Sequence, residues 1–416
     1  MSLKIAPAVA LAVVASSIMA IEGCPFQGKA GIDYCHSNQR RNRKIMASKL
    51  GLRLHIYFIA GLLVLAVAAP VSAAEVTVGA NIVNPYAFSA QEQDAMLSEL
   101  KRDGVRVIRV SITLDDKGVA FAERAWKAGL KIEWLIFRFG GYEPGGRPLS
   151  AADPEQFRNT FGPILSRLED NGVTFAAFEL GNEFNLAGYN SEFPRPGRGM
   201  VYGLKDLEDD PVAQQVARGY LQYLKVLAVL KDLRDHSKLN QHTPVMTAGL
   251  AVYETDEGQM PGSKTDLVSV NATLEYMRAH GLDELVDAYA VHVYPRGNGP
   301  GDAAAAAARR EKLAKYVLKQ CRPAGSLQGK PCWLTEWGFN NTDMRCPTND
   351  SSRALLVREM MGNFRPYVQD GRLIGLMSYA WNDLPAPKFP PSAYTLYRCG
   401  APTESGRLTV DAGLLK

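Results

Sequence analysis

Short apolar runs alternate with longer amphipathic stretches from about residue 75 to the end of the chain. Eight of the runs are nearly continuous in apolar residues, which is typical of strands buried on both faces of a parallel sheet. The eight predicted strands are Val76–Asn81, Val105–Ile112, Lys131–Phe137, Thr174–Leu180, Pro244–Leu250, Val286–Val293, Pro331–Glu336 and Leu373–Ala380.

Helical periodicity fills the segments between these runs. Asp153-Pro154 and Asp210-Pro211 each place a capping residue before a proline at the first helical position. Apolar residues then recur at steps of three and four. Two further helices are predicted over Asp302–Lys319 and Ser351–Val368, and only the short tail Leu408–Lys416 is left for the last helix.

The number and order of these elements predict the fold class. Alternating strands and helices indicate an α/β protein with a parallel sheet, and eight repeats match a (β/α)8 barrel. No linker rich in Gly, Ser or Pro divides the alternating region. We therefore predict one TIM barrel with long rim loops over residues 75–416.

The N-terminal segment has the pattern of an export signal. Lys49 and Arg53 precede an apolar stretch that ends in small residues at 71–74. We predict that residues 46–74 are a signal peptide and that residues 1–45 are an over-extension upstream of the true start. The mature protein would then be secreted or periplasmic.

Two other interpretations of the N-terminus remain open. A pair of membrane spans would need about 20 apolar residues each, and the first apolar stretch, Ala6–Ile21, is short for this purpose. A lipoprotein-type site at Cys24 would contain the charged residue Glu22. In either case a membrane would be a partner only through an uncleaved N-terminal segment.

Composition and charge exclude one class of function. The chain has 416 residues, of which 46% are apolar and 22% are charged, and its net charge is +4. These values are ordinary for a globular protein. The predicted barrel contains no Lys/Arg-rich face with interleaved aromatic residues, so nucleic acid is not expected as a partner. We expect a monomer.

Four cysteines lie in the predicted mature chain, and an even number in an exported protein predicts two disulfides. Three pairings are possible. Cys321 and Cys332 bracket a Pro/Gly loop just before a strand, which favours their pairing and leaves Cys346 with Cys399. Their spacing does not match a zinc site and no His clusters with them. We therefore expect neither a metal nor a cofactor.

Two of the apolar runs lead into a Glu with unusual neighbours. Glu183 follows Gly181-Asn182, and Glu336 is followed by Trp337. A single Glu after a strand is usually solvated or paired with a cation. An amide and an indole beside the carboxylates suit a site that bonds hydroxyl groups and stacks on sugar rings. Two carboxylates are also what hydrolysis of a glycosidic bond requires.

Barrel geometry predicts that these two carboxylates meet. The C-terminal ends of the strands in a (β/α)8 barrel form one rim, and active sites lie there. Glu183 comes just after the fourth strand and Glu336 ends the seventh. We therefore predict that they face each other across the mouth of the barrel.

Other strand ends supply partners for such a site. Arg109, near the end of the second strand, would keep a neighbouring carboxylate ionised. His292 and Tyr294 alternate along the sixth strand and so point to one side, where they could hold a carboxylate and a sugar hydroxyl. Trp381, after the eighth strand, is a candidate platform for a sugar ring. Taken singly, each of these residues could have a purely structural role. They are site candidates because all of them are predicted to lie at the same rim of the barrel.

At these residues the chain resembles glycoside hydrolase clan A. The resemblance implies a barrel enzyme that retains anomeric configuration, with Glu183 as acid/base and Glu336 as nucleophile. The residues that it implies to bind substrate or shape the site are Asn182, Arg109, His292, Tyr294 and Trp381. The cellulase-like family five and the xylosidase-like family thirty-nine are the most similar branches. The chain departs from the cellulase-like pattern after the third strand, where residues 137–140 include no His.

The sequence thus predicts an exported retaining β-glycosidase that acts on an oligo- or polysaccharide. A catalytically silent glycan-binding barrel is the alternative; it would lack one of the two carboxylates. A metal-dependent barrel hydrolase would need several His ligands at strand ends, and His292 alone is so placed. The long loop after the fourth strand carries Arg195 and Arg198, which could meet an acidic glycan.

Overall fold

The structure is a computed structural model, and it describes residues 76–416 except 254, 299–301, 342, 344 and 384–390. The signal peptide predicted at 46–74 and the over-extension predicted at 1–45 both lie outside the described residues. Within the described part of the chain, none of the helices is both long enough and apolar enough to cross a membrane.

Eight parallel strands form the predicted barrel. They are β1 Thr77–Asn81, β2 Val107–Ser111, β3 Lys131–Ile136, β4 Phe175–Leu180, β5 Val245–Met246, β6 Tyr289–Val293, β7 Cys332–Trp337 and β8 Leu373–Ser378. The hydrogen-bonded order is β5-β4-β3-β2-β1-β8-β7-β6, so that β1 pairs with both β2 and β8. Two isolated parallel bridges, Met246–Ala288 and Leu250–Val291, join β5 to β6 and complete the ring.

Eight helices follow the strands in turn. They are α1 Ala90–Arg102, α2 Asp116–Lys127, α3 Pro154–Asp170, α4 Pro211–Asp235, α5 Val270–Ala279, α6 Ala303–Val317, α7 Ser351–Gln369 and α8 Glu404–Thr409. Asp153 and Asp210 cap α3 and α4 as their sequence predicts, because each side chain accepts from backbone N–H groups of the first turn. The last helix is short, and the buried carboxylate of Asp350 anchors it by accepting from the N–H and hydroxyl of Ser405.

Several shorter strands and helices lie in the loops that connect the main elements of the barrel. A three-stranded sheet on the loops after β4 and β5 consists of Met200–Tyr202, Gly258–Gln259 and Leu267–Val268. A hairpin pairs Tyr397–Arg398 with Ala401–Pro402 after β8. The remaining short helices are Pro85–Ala87, Leu149–Ala151, Asp206–Asp209, Leu282–Glu284 and Ala412–Leu415.

The interior of the barrel is layered by the alternation of side chains along each strand. A small apolar cluster fills the lower layer, and it includes Val107, Ala177, Ala290 and Trp333. The Trp333 ring fits because Gly375 faces it; a Cβ there would lie 2.2 Å from the ring. Two residues further along the same strands the inward side chains are polar. The apolar layer therefore closes the barrel beneath a polar one.

Both disulfides join the pairs that the sequence favours. Cys321 bonds to Cys332, and Cys346 bonds to Cys399. The first closes the loop between α6 and β7, and the second ties the loop after β7 to the hairpin after β8. Such bonds are typical of proteins that fold in oxidising compartments.

Candidate active site

The guanidinium of Arg109 lies at the centre of the polar layer. Its Nη1 donates to Glu336 Oε1 at 2.6 Å and to Asn81 Oδ1 at 2.7 Å. Its Nη2 donates to Asn182 Oδ1 at 2.9 Å and to Glu179 Oε1 at 3.1 Å, and its Nε donates to Glu179 Oε2 at 2.5 Å. Every guanidinium nitrogen therefore holds a partner, and four strands or strand ends are fixed around one cation.

The two predicted carboxylates meet at the rim above Arg109. One oxygen of Glu183, one oxygen of Glu336 and one ring nitrogen of His292 all lie within 4.8 Å of one another. Glu183 has a φ of 44°, in the left-handed region that non-glycine residues rarely occupy. Strained backbone of this kind clusters at functional sites. Its N–H donates to the carbonyl of Gly249, which holds this turn against the end of β5.

Two hydrogen-bond donors and one further cationic group surround the Glu336 carboxylate. Arg109 donates to Oε1, while the Tyr294 hydroxyl donates to Oε2 at 2.5 Å and His292 Nδ1 lies 3.6 Å from the same oxygen. Burial raises the pKa of Glu336, but the charges of His292 and Arg109 and the hydrogen bond from Tyr294 outweigh it and leave the pKa below its usual value. Glu336 is therefore held ionised.

Glu183 and Asn182 have different surroundings. Glu183 Oε1 lies 2.8 Å from Nδ1 of His292 and makes no contact with Arg109 among the described hydrogen bonds. Asn182 accepts from Arg109 through its amide oxygen, which turns its NH2 group away from the guanidinium. That orientation leaves the NH2 group available to donate to a sugar hydroxyl, the role expected for it.

His292 connects the two carboxylates. Burial lowers its pKa, but the negative charge of Glu336 and the hydrogen bond to Glu183 raise it more, so that the pKa lies above its usual value. The ring fits only because residue 249 is Gly; a Cβ there would lie 2.0 Å from His292 Nε2 and 2.7 Å from Glu179 Oε1. The glycine thus sets the depth at which the imidazole sits.

Tyrosine rings line the rim around this group. Tyr294 packs edge to face on Tyr379 and Tyr394, with centroids 5.9 and 5.3 Å apart. Burial, and next the charge of Glu336, raise the pKa of Tyr379 to about 12. The Tyr189 ring packs on Phe137, with centroids 6.4 Å apart. Burial, and next the charges of Glu183 and Glu336, raise the pKa of Tyr189.

Trp381 occupies a different place from the one expected. It is 1% exposed, its ring packs on Tyr397 at 5.7 Å, and its backbone N–H donates to the carbonyl of Asn81. A buried ring offers no face to a sugar. The strand-eight aromatic beside the carboxylates is Tyr379, two residues earlier in the chain.

The arginines of the loop after β4 are already engaged. Arg195 donates to the carbonyls of Gly145 and Gly188 at 3.2 and 3.1 Å. Arg198 donates to the Tyr202 hydroxyl at 3.0 Å and lies 3.7 Å from Asp210. Both side chains therefore make hydrogen bonds that fasten this loop, and both remain exposed to solvent.

The structure adds residues to the site that the sequence did not single out. Asn81 ends β1 and accepts from Arg109, while Glu133 and Glu179 lie beneath it with 0% exposure. Both Glu residues lie in strands that are otherwise largely apolar. A charged residue in such a strand is the sequence feature that could have identified them.

Glu183, His292 and Glu336 also offer enough ligand atoms for a metal ion. The described contacts fit a hydrogen-bonded network better. Both oxygens of Glu336 already accept from Arg109 or Tyr294, and Nδ1 of His292 is bonded to Glu183. The positive charge of Arg109 would in addition repel a cation at Glu336.

Comparison with known proteins bears on the fold. No protein-family model matches the chain, and no curated protein sequence matches it. The exo-beta-1,4-mannosidase Op5Man5 from Opitutaceae bacterium strain TAV5 aligns with a TM-score of 0.50 and 14% identity, over 81% of this chain and 59% of the mannosidase.

Two further solved structures align slightly less well. The endo-beta-1,4-mannanase from Thermotoga petrophila has a TM-score of 0.49 and 15% identity, over 82% of this chain and 77% of that one. A GH39 beta-xylosidase from Caulobacter crescentus has a TM-score of 0.49 and 13% identity, over 82% and 70%. Together with the strand topology, the similarity to the mannosidase shows that this chain is a (β/α)8-barrel protein.

Proposed function

We propose that the chain is a retaining β-glycosidase of glycoside hydrolase clan A that acts on an oligo- or polysaccharide. The observation that carries this proposal is the approach of Glu183 and Glu336 to within 4.8 Å at the rim, in unlike surroundings. Retaining enzymes place their carboxyl groups about 5–5.5 Å apart, and inverting enzymes about 6.5–9.5 Å apart. One pair of their oxygens within 4.8 Å is closer to the retaining separation than to the inverting one, and this supports retention.

The first half of the reaction forms a covalent intermediate. Glu336, held ionised by Arg109 and Tyr294, attacks the anomeric carbon as the bond to the leaving oxygen breaks. Glu183 gives its proton to that oxygen, so that the leaving group departs as an alcohol. The NH2 group of Asn182, whose amide oxygen accepts from Arg109, would donate to the hydroxyl beside the reacting carbon.

The second half reverses these roles. The Glu183 carboxylate takes a proton from water, and the resulting hydroxide displaces Glu336 from the anomeric carbon. Two inversions return the original configuration. His292 remains bonded to Glu183 and close to Glu336, so that one imidazole faces both carboxylates in each half.

The rim supports a sugar substrate. Tyr294, Tyr379 and Tyr394 form one aromatic wall, and Phe137 with Tyr189 forms another. Aromatic faces flanking polar groups are a common means of binding pyranose rings. The solved structures with this fold include a mannosidase, a mannanase and a xylosidase, and we infer a β-linked pyranoside of this general class.

We also propose that the protein is exported. The two disulfides support an oxidising compartment, secreted or periplasmic. The sequence of residues 46–74 supports removal of a signal peptide. N-terminal sequencing of the protein recovered outside the cytoplasm tests this, and a mature N-terminus upstream of Met46 would contradict it.

The enzymatic proposal is tested with the mature protein and a panel of aryl β-glycosides and polysaccharides. We expect turnover of at least one substrate, with a first product of β configuration seen by proton NMR. Glu336→Gln should abolish turnover, whereas Glu311→Gln, an exposed carboxyl on α6, should not. Tight glycan binding without turnover by the wild type would instead indicate a silent glycan-binding barrel, and an α first product would indicate inversion.

A further inference from the structure

Three buried carboxyl groups surround Arg109, although the mechanism uses only one of them. Glu336 and Glu179 accept from the guanidinium, and Glu133 Oε1 lies 3.6 Å from Nε. Glu133 and Glu179 are both 0% exposed. They enter from β3 and β4, neighbouring parallel strands in which Glu133 pairs with Ala177, and Leu135 pairs with Glu179.

Arg109 supplies one positive charge, and the imidazolium of His292 directs Nδ1 to Glu183 and Glu336. Three ionised carboxylates around Arg109 would therefore leave a buried negative charge without a partner, which favours a proton on one of them. Glu336 has donors from Arg109 and Tyr294. Glu179 has two N–H groups of Arg109 and the hydroxyl of Thr335 at 3.0 Å. Neither oxygen of Glu133 accepts a hydrogen bond from any described residue. The proton therefore belongs on Glu133.

A buried carboxylic acid needs an acceptor for its hydrogen. Glu133 and Glu179 converge on the same atom, because Nε of Arg109 lies 3.6 Å from Glu133 Oε1 and 2.5 Å from Glu179 Oε2. We propose that Glu133 is a positioning residue: it is a neutral acid that donates to Glu179, and the pair holds Arg109 beneath Glu336 and Asn182. Burial, and then the charge of Glu179, raise the pKa of Glu133 well above its usual value, against the opposing charge of Arg109.

This arrangement gives the layer a simple charge balance. Glu133 and Glu179 together carry one negative charge, which anchors one side of the guanidinium. The other side is then free to direct N–H groups to Glu336 and Asn182, the two residues that would touch the sugar at the reacting carbon. An ionised Glu133 would add a second negative charge beneath Arg109. That charge would attract the guanidinium away from Glu336 and Asn182.

The protonation of Glu133 can be measured without any substrate. The infrared difference spectrum of wild type minus Glu133→Gln at neutral pH should contain the C=O band of a protonated carboxyl group. The control difference, with Glu311→Gln, should contain only carboxylate bands, because Glu311 is exposed and paired with Lys315. Carboxylate bands alone in the Glu133 difference would overturn the proposal, whether or not the protein is a glycosidase.

The positioning role rests on the proposed function and has a kinetic test. Glu133→Leu should lower kcat by about 10–100-fold through misplacement of Arg109, and Glu133→Gln, which keeps a neutral donor, should recover most of that loss. Glu133→Gln should also leave the acid limb of kcat/KM in place, since no charge is removed. Equal loss in both variants, or an acid limb displaced to lower pH in Glu133→Gln, would overturn it. If Glu133→Leu does not fold, the position of the acid limb of kcat/KM in Glu133→Gln tests the proposal by itself.

Discussion

Nη1 of Arg109 lies 2.6 Å from Oε1 of Glu336 and joins β2 to β7 across the inside of the barrel. Both side chains are almost fully buried. Burial alone would favour the neutral form of the carboxyl group, yet the pKa of Glu336 lies below its usual value because His292 and Arg109 bring positive charge. The contact thus fixes both the position and the charge of the proposed nucleophile.

Arg109→Met should therefore move the acid limb of kcat/KM to higher pH and greatly lower kcat. Removal of the cation leaves Glu336 buried with less compensating charge, which raises its pKa, and breaking a buried ion pair costs about 3–5 kcal/mol of stability. Arg109→Lys keeps the positive charge, but an ammonium group cannot bond all the partners of the guanidinium. We therefore expect a lower kcat, with a smaller displacement of the acid limb of kcat/KM than in Arg109→Met. Arg309→Met, on the exposed face of α6, is the matched control. An unchanged acid limb in a folded Arg109→Met variant would refute this.

The roles of Glu183 and Glu336 predict opposite responses to the leaving group. Glu183→Ala should retain most of its first-step rate on dinitrophenyl glycosides, which need no protonation to depart, and lose activity on alkyl glycosides. Glu336→Ala should lose activity on both, and added azide should restore turnover with a product of inverted configuration. Burst kinetics and NMR of the products are the measurements. Equal losses on dinitrophenyl substrates in both folded variants would refute the assignment of Glu183.

The sequence was sufficient for the barrel because each strand is a nearly continuous apolar run. The fifth strand shows the limit of that pattern. A run over Pro244–Leu250 was predicted, but the regular strand ends at Met246. Beyond Met246, side-chain oxygens replace backbone carbonyls as hydrogen-bond acceptors. The Tyr223 hydroxyl accepts from the N–H of Ala248, and Thr247 Oγ1 accepts from the N–H of Ala290. Sequence alone does not show which backbone groups side chains will bind.

The site was partly predictable for a related reason. Strand ends place Arg109, Glu183, His292 and Glu336 on one rim whatever the details of packing. The inward or outward direction of a residue in an apolar run depends on register, which the sequence does not state. Hence Trp381 was expected at the site and is buried elsewhere, while the inward carboxyl groups of the polar layer went unnoticed.

Tyr294→Phe isolates a single hydrogen bond to the nucleophile. Removing the hydroxyl deprives Glu336 Oε2 of its 2.5 Å donor while the ring keeps its contacts with Tyr379 and Tyr394. A hydrogen bond to a charged group is worth about 1.5–3 kcal/mol, so the pKa of Glu336 should rise and the acid limb should move to higher pH. The control is Tyr397→Phe, whose hydroxyl donates to Gly400 on the hairpin. A Tyr294→Phe profile that superposes on the wild type would refute the role.

His292 predicts how stability depends on pH. Its pKa is raised in the folded protein above the reference value of 6.5, because it faces Glu336 and Glu183. The imidazolium therefore stabilises the fold fully below pH 6.5, and this contribution is lost as pH rises through the raised pKa. Urea midpoints of the wild type should decline over that window more than those of His292→Gln. His280→Gln, on the exposed end of α5, should follow the wild type, and parallel curves for all three proteins would refute the prediction.

The two disulfides should differ in their reactivity because they differ in access. Cys321 and Cys332 are both 0% exposed, whereas Cys346 and Cys399 lie on the surface. Mild reduction of the native protein should therefore open Cys346–Cys399 first, since a thiolate must reach the sulfur that it attacks. Alkylation and peptide mapping would identify the opened pair, and both pairs should react together in urea. Loss of this bond, which spans 53 residues, should lower the free energy of unfolding by about 4 kcal/mol. Simultaneous labelling of all four cysteines under native conditions would show that burial does not protect the inner pair.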